Sequence, residues 1–132
     1  SDNSRINMID EPEVIARKIR KAKTDPHPLP DNLDDLDGRP EAANLMGIYA
    51  ALDDCSIADV CLRFGGGQFS TFKQDLADLA VAHFTPIQQE MRRIMADPTY
   101  VDGILRDGIE RADAISSPIL REIQDVVGFL HP

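Results

Sequence analysis

The sequence predicts an all-α fold, a helical bundle with two long C-terminal antiparallel helices, both kinked at Pro. Three observations carry this. Apolar residues recur at a period near 3.6 through most of the chain, and no alternating strand pattern of useful length appears. Capping residues, prolines and glycines fall at the ends of the periodic stretches. Across 72–94 and 101–126 one apolar phase is kept for six turns or more, through Pro86 in the first and Pro118 in the second, which predicts a bend rather than a break at each.

The first helix is expected over 12–23. Asp10 is the candidate N-cap, and Pro12 suits the first turn. At about 100° per residue, Ile15, Ile19 and Ala22 share one side while Arg17, Arg20 and Lys21 fall opposite, and Lys18 and Lys23 flank the apolar stripe. Glu11 and Glu13 lie at the start and the basic residues at the end, which suits the helix dipole. Two roles stay open for this stripe: a solvated face with favourable charge order, or a surface facing RNA.

A long irregular connection, 24–40, follows. Pro26, Pro28, Pro30 and Pro40 exclude regular helix from much of it. Asp31, Asp34, Asp35 and Asp37 make it acidic, but their spacing is not that of a calcium loop, so it reads as a solvated loop. Leu29, Leu33 and Leu36 are expected to pin it to the core.

The second helix is expected over 40–52, with Leu45, Ile48, Tyr49 and Leu52 inward. Ser56 opens a short third helix with Asp59 as the capping-box acid. Ile57, Val60, Cys61 and Phe64 face the core, and Gly65-Gly66-Gly67 ends the helix. No strand precedes the glycines and no Gly-Lys-Ser/Thr follows, so the triplet is a helix end and turn, not a phosphate loop.

The fourth helix, 70–96, carries Phe72, Leu76, Leu79, Ala80, His83, Ile87, Met91 and Ile94 on one face. His83 therefore reads as a hydrogen-bonded core or boundary residue, while Arg92 and Arg93 lie off that face near the end. Asp97-Pro98 is an N-cap and first turn for the fifth helix, which should continue to Val127. Its stripe is Val101, Ile104, Leu105, Gly108, Ala112, Ile115, Ile119, Ile123 and Val126. Pro118 frees the Ala114 carbonyl, which Ser116 or Ser117 should help to satisfy. Gly128 is the C-cap, and Phe129 and Leu130 are expected to fold back onto the core.

At 132 residues the chain is one domain's worth. With 42% apolar residues, 5% aromatic and no Trp, its core must rest on Leu, Ile, Val, Ala and Met. No apolar run approaches the roughly 20 residues of a membrane span. Cys55 and Cys61 match no zinc spacing and read as reduced thiols. The net charge of −9 is unevenly spread. Residues 1–25 hold six basic against five acidic side chains, 26–69 hold two against eight, and 70–132 hold six against ten. Such a surface repels phosphate in general, so any nucleic-acid contact must be local. No catalytic constellation is visible: the three His are scattered, and the paired aspartates lie on expected loops. Ser1-Asp2-Asn3 reads like the middle of a longer protein.

The opening stretch also resembles a known family. Ser1-Asp2-Asn3-Ser4-Arg5-Ile6-Asn7-Met8 looks like the segment directly after the Lys-Met-Ser-Lys-Ser loop of bacterial tryptophanyl-tRNA synthetases. Ile15, Lys18, Ile19, Lys21-Ala22 and Thr24-Asp25 look like the helix that follows it. The likeness continues through Asn44-Leu45, Ile48-Tyr49, the glycine-rich turn, Phe72-Lys73, Asp97-Pro98, Gly108 and Ala112 to Val127-Gly128-Phe129. The resemblance implies the C-terminal helical part of a class I aminoacyl-tRNA synthetase. It divides the chain into a linker over 1–9 and an anticodon-binding domain over 10–132. Arg17, Arg20, Lys21 and Lys23 are then the first candidates for RNA contact, with Arg92, Arg93 and Arg111 second. Ser1, Asp2, Asn3 and Ser4 would form the hinge to the ATP-binding loop. No catalytic or metal-ligating residue is expected within the chain. ATP and Mg²⁺ would serve the full-length enzyme. The implied partners are the anticodon loop of tRNA(Trp), the catalytic domain of the same polypeptide and a second subunit in a cytoplasmic homodimer, with neither membrane nor DNA. The rival reading is a non-catalytic helical module for protein–protein interaction.

Overall fold

The computed structural model describes residues 4–129, and no strand occurs among them. The helices are α1 (Pro12–Lys21), α2 (Pro40–Leu52), α3 (Ile57–Phe64), α4 (Phe69–Met95) and α5 (Pro98–Val127), with one 3-10 turn at Asp34–Leu36. The expectations for Ser1, Asp2, Asn3 and Leu130 fall outside the described residues. The chain divides into two compact units, Ser1–Gln89 and Glu90–Pro132.

The first unit holds the core. Ile15 and Ile19 of α1, Ala42, Leu45, Met46 and Tyr49 of α2, Val60 and Cys61 of α3, and Phe72, Leu76, Ala77 and Ala80 of α4 are all buried. Tyr49, Phe64 and Phe72 meet with ring centroids 5.0–5.5 Å apart, edge-on or tilted. Ser56 and Asp59 form the expected capping box, each side chain bonded to the other residue's backbone N–H.

Several sequence expectations are corrected here. Asp10 does not cap α1. Glu11 occupies the N-cap position without a side-chain bond, while the Asp10 carboxylate turns back to Asn7 and forward to Lys18. On α2, Ile48 is 40% exposed, and Met46, not singled out by periodicity, is fully buried. Leu33 is exposed, while Leu29 anchors the connection. On α4 the buried side is rotated relative to the expected stripe. His83 and Ile87 are exposed, and Lys73 and Gln88 are buried. The polar pair is accommodated because each finds a carbonyl: Lys73 Nζ donates to Ala22 O (2.6 Å) and Gln88 Nε2 to Asp10 O (2.6 Å).

The glycine triplet works as a close-approach device. Gly66 N–H donates to Leu29 O (2.8 Å), and Leu29 N–H donates to Gly67 O (2.9 Å), so the Pro-rich connection lies against the end of α3. A Cβ on Gly65 would meet Asp31 Cα and Cys61 O at 2.5 Å. The connection is further held by Arg39, which donates twice to the Asp25 carboxylate (2.8 and 3.1 Å) and once to Pro28 O.

In the second unit, Asp97 caps α5 by accepting from Tyr100 N–H, and Gly128 ends it at φ +75°. The helix continues through Pro118, as α4 does through Pro86. Ser117 Oγ donates to the Asp113 carboxylate (3.3 Å) rather than to the Ala114 carbonyl. No residue of α5 is buried. Of the expected inward stripe, Val101 is half-buried, whereas Ile104, Leu105, Ile115, Ile119, Ile123 and Val126 are exposed, between 53% at Ile119 and 87% at Val126, and Phe129 is exposed with them. Periodicity identified a continuous apolar face but not what covers it.

Candidate nucleic-acid interface

The structure separates the basic residues of α1 by what each touches. Arg17, Arg20 and Lys21 are exposed, and no ion pair or hydrogen bond engages their side chains among the described residues. They lie on the side of α1 opposite the buried Ile15 and Ile19 because the helical repeat puts them there. Lys18 is different. Its side chain is 3% exposed and its Nζ sits 2.7 Å from Asp10 Oδ2. The bond from Lys18, together with the Asn7 N–H, draws the Asp10 carboxyl down to about 2 from 3.8. Lys23 Nζ pairs with Glu41 at 2.7 Å, which raises the ammonium's pKa and lowers the carboxyl's. Of the four first-rank candidates, three are unengaged and Lys23 is shared with an acid.

The second-rank residues belong to the other unit. Arg93 is bidentate on Glu90 (2.7 and 2.8 Å), and Arg111 lies 3.9 Å from Asp107. Both pairs are exposed, one turn apart on their helices, and worth little to stability. Arg92 is exposed and also has an interaction partner.

A pocket of about 490 Å³ opens beside α1, walled by residues 4–6, the end of α1 and the exposed edge of α2. Ser4, the described part of the expected hinge, lines it with Arg5, Lys21 and Lys23. Arg5, Asn44 and Ile48 were not singled out as site residues. Arg5 lies outside any periodic stretch, and Ile48 was assigned to the core, so only its exposure marks it.

The glycine triplet does not fit a phosphate group. All three amides are engaged, Gly65 N–H by Cys61 O, Gly66 N–H by Leu29 O and Gly67 N–H by Phe64 O. Among the described residues no three His, Cys, Asp or Glu side chains gather as a metal site, and no helix is long and apolar enough to cross a membrane. Cys61 is buried and Cys55 half-buried, and burial raises the pKa of both thiols.

Over 98% of its length the chain is 56% identical to the tryptophan–tRNA ligase of Brucella melitensis, 54% identical to that of Agrobacterium fabrum and 45% identical to that of Caulobacter vibrioides. Over almost its whole length the chain is similar to part of a tryptophan–tRNA ligase. No family model matches it. It spans 37–38% of the length of these three tryptophan–tRNA ligases. The match to the Brucella ligase runs over 130 residues, so both units of the chain lie within sequence shared with that ligase.

Proposed function

We propose that the chain is the anticodon-recognising, C-terminal helical part of a tryptophan–tRNA ligase, with residues 1–9 as the linker from a catalytic domain. The observation that carries this is the exposed Arg17, Arg20 and Lys21 face. It presents three unengaged cations within five residues of a chain that is otherwise strongly acidic and that matches ligases acting on tRNA. Phosphates of a splayed single-stranded loop are held by such side chains while exposed base edges supply identity. Arg92, Arg93 and Arg111 are secondary contacts in this proposal.

The glycine triplet is not offered as an ATP site, since its amides are engaged within the fold. ATP, Mg²⁺ and the aminoacylation chemistry are assigned to the rest of a longer, cytoplasmic, homodimeric enzyme, and no catalytic step is assigned to this chain. The exposed apolar stripe of α5 is assigned to contact with that remainder, which makes up the larger part of the relatives' length. The test is charge reversal at Arg17, Arg20 and Lys21 in the full-length ligase. Aminoacylation of tRNA(Trp) should fall while tryptophan-dependent ATP–pyrophosphate exchange holds. Unchanged aminoacylation would reduce the stripe to a solvated face.

A further inference from the structure

We propose that the pocket beside α1 receives one unstacked nucleotide of a single-stranded RNA loop, an inference that rests on the RNA-binding reading above. Its volume of about 490 Å³ lies within the range of small-ligand pockets, about 300–1,000 Å³. Its lining is mostly apolar. Ile19, Leu45 and Leu76 are buried residues that reach its floor, and Ile48 forms an exposed wall. Around this floor stand four cations and no carboxylate, in a chain of net charge −9. Lys18 is held by Asp10 and Lys23 by Glu41, whereas Arg5 and Lys21 have no partner among the described residues. The Lys23 side chain is 84% exposed, so a phosphate can compete with Glu41 in water.

The fitting ligand therefore has a flat, weakly polar body and a negative charge at one side. A nucleotide has both, its base lying against the accessible apolar lining of Ile6, Ala22 and Ile48 and its phosphate on Arg5 and Lys21. Asn44 adds an amide that both donates and accepts, which suits the edge of a base. A base within a duplex cannot enter, so the substrate is a loop or a single strand. RNA is favoured over an acidic peptide by the adjoining face of α1. Lys21 borders the pocket, and Arg17 and Arg20 continue the free cations along the same helix, a track for the backbone beyond the inserted nucleotide.

The experiment is a fluorescence titration of the chain with a tRNA(Trp) anticodon stem-loop carrying 2-aminopurine in the loop. Ile48→Glu places a carboxylate on an already exposed wall, and Arg5→Ala removes a surface cation; circular dichroism checks that both fold. Ile48→Glu should weaken binding by about ten-fold and abolish the 2-aminopurine signal. Arg5→Ala should weaken binding and reduce the salt slope by about 1. If both bind like the parent while Arg17→Glu and Arg20→Glu lose affinity, the pocket assignment is wrong and the RNA reading stands. Absence of binding by the parent at any salt overturns both.

Discussion

Lys18 Nζ lies 2.7 Å from Asp10 Oδ2, and this pair, not an N-cap, holds the segment before α1 against the helix. Gln88 of α4 reaches the Asp10 carbonyl as well, so side chain and backbone of Asp10 are both tied down. The Asp10 carboxyl titrates near about 2 in the folded chain against 3.8 ordinarily. A lowered carboxyl stabilises the fold above its ordinary value and loses that contribution as pH falls through the folded one. Urea midpoints measured across this window should fall more steeply for the parent than for Asp10→Asn. A gap between the two that does not change with pH would show that the pair is not the cause.

Glycines in different surroundings should respond in opposite directions. Gly65→Ala forces a Cβ into backbone atoms at 2.5 Å and should cost about 1–3 kcal/mol or more by urea denaturation. Gly108→Ala meets open space inside α5 and removes helix-weakening freedom, a gain of about 0.5–1 kcal/mol. Slower amide exchange along α5 would register that gain.

Lys73 ties α4 to the end of α1 through the Ala22 carbonyl, and burial pushes its ammonium below the usual 10.5. Lys73→Met relieves that burial but loses a charged hydrogen bond, for a net loss of about 1–2 kcal/mol at neutral pH. In the window between the folded value and 10.5 the unfolded chain holds the proton more firmly. The parent should therefore gain stability relative to Lys73→Met as pH rises there, which paired denaturation curves at neutral and alkaline pH will show.

Leu105 and Ile119 are 58% and 53% exposed, so aspartate at either position should change the stability of this chain by no more than about 0.5 kcal/mol. In the full-length ligase the same substitutions should each cost about 1.5–3 kcal/mol if the stripe is covered there. Equal, small effects in both settings would leave α5 without a covering partner.

The fold was largely legible because apolar period and punctuation act locally. Pro40, the Ser56–Asp59 box, Asp97-Pro98 and Gly128 mark helix ends by chemistry within a few residues. The misses need distant partners. Lys73 and Gln88 are buried because carbonyls 51 and 78 residues away receive them. Asp10 leaves its capping position because a lysine two turns on competes for it. The exposed cations of α1 follow from the helical repeat, but the pocket beside them depends on how residues 4–6 lie against α1 and α2, which no pattern within one helix encodes.

The two hydrogen bonds between Leu29 and the glycine turn divide the connection before α2 into two short spans, which Arg39 and Asp25 tie to each other. A protease or an inserted sequence would therefore meet uneven resistance along it. Insertions next to Gly38, at φ +70° with open space around it, should be tolerated. At Leu29, by contrast, an extra residue would unthread the turn from α3, and the damage would spread to the helix bearing Tyr49.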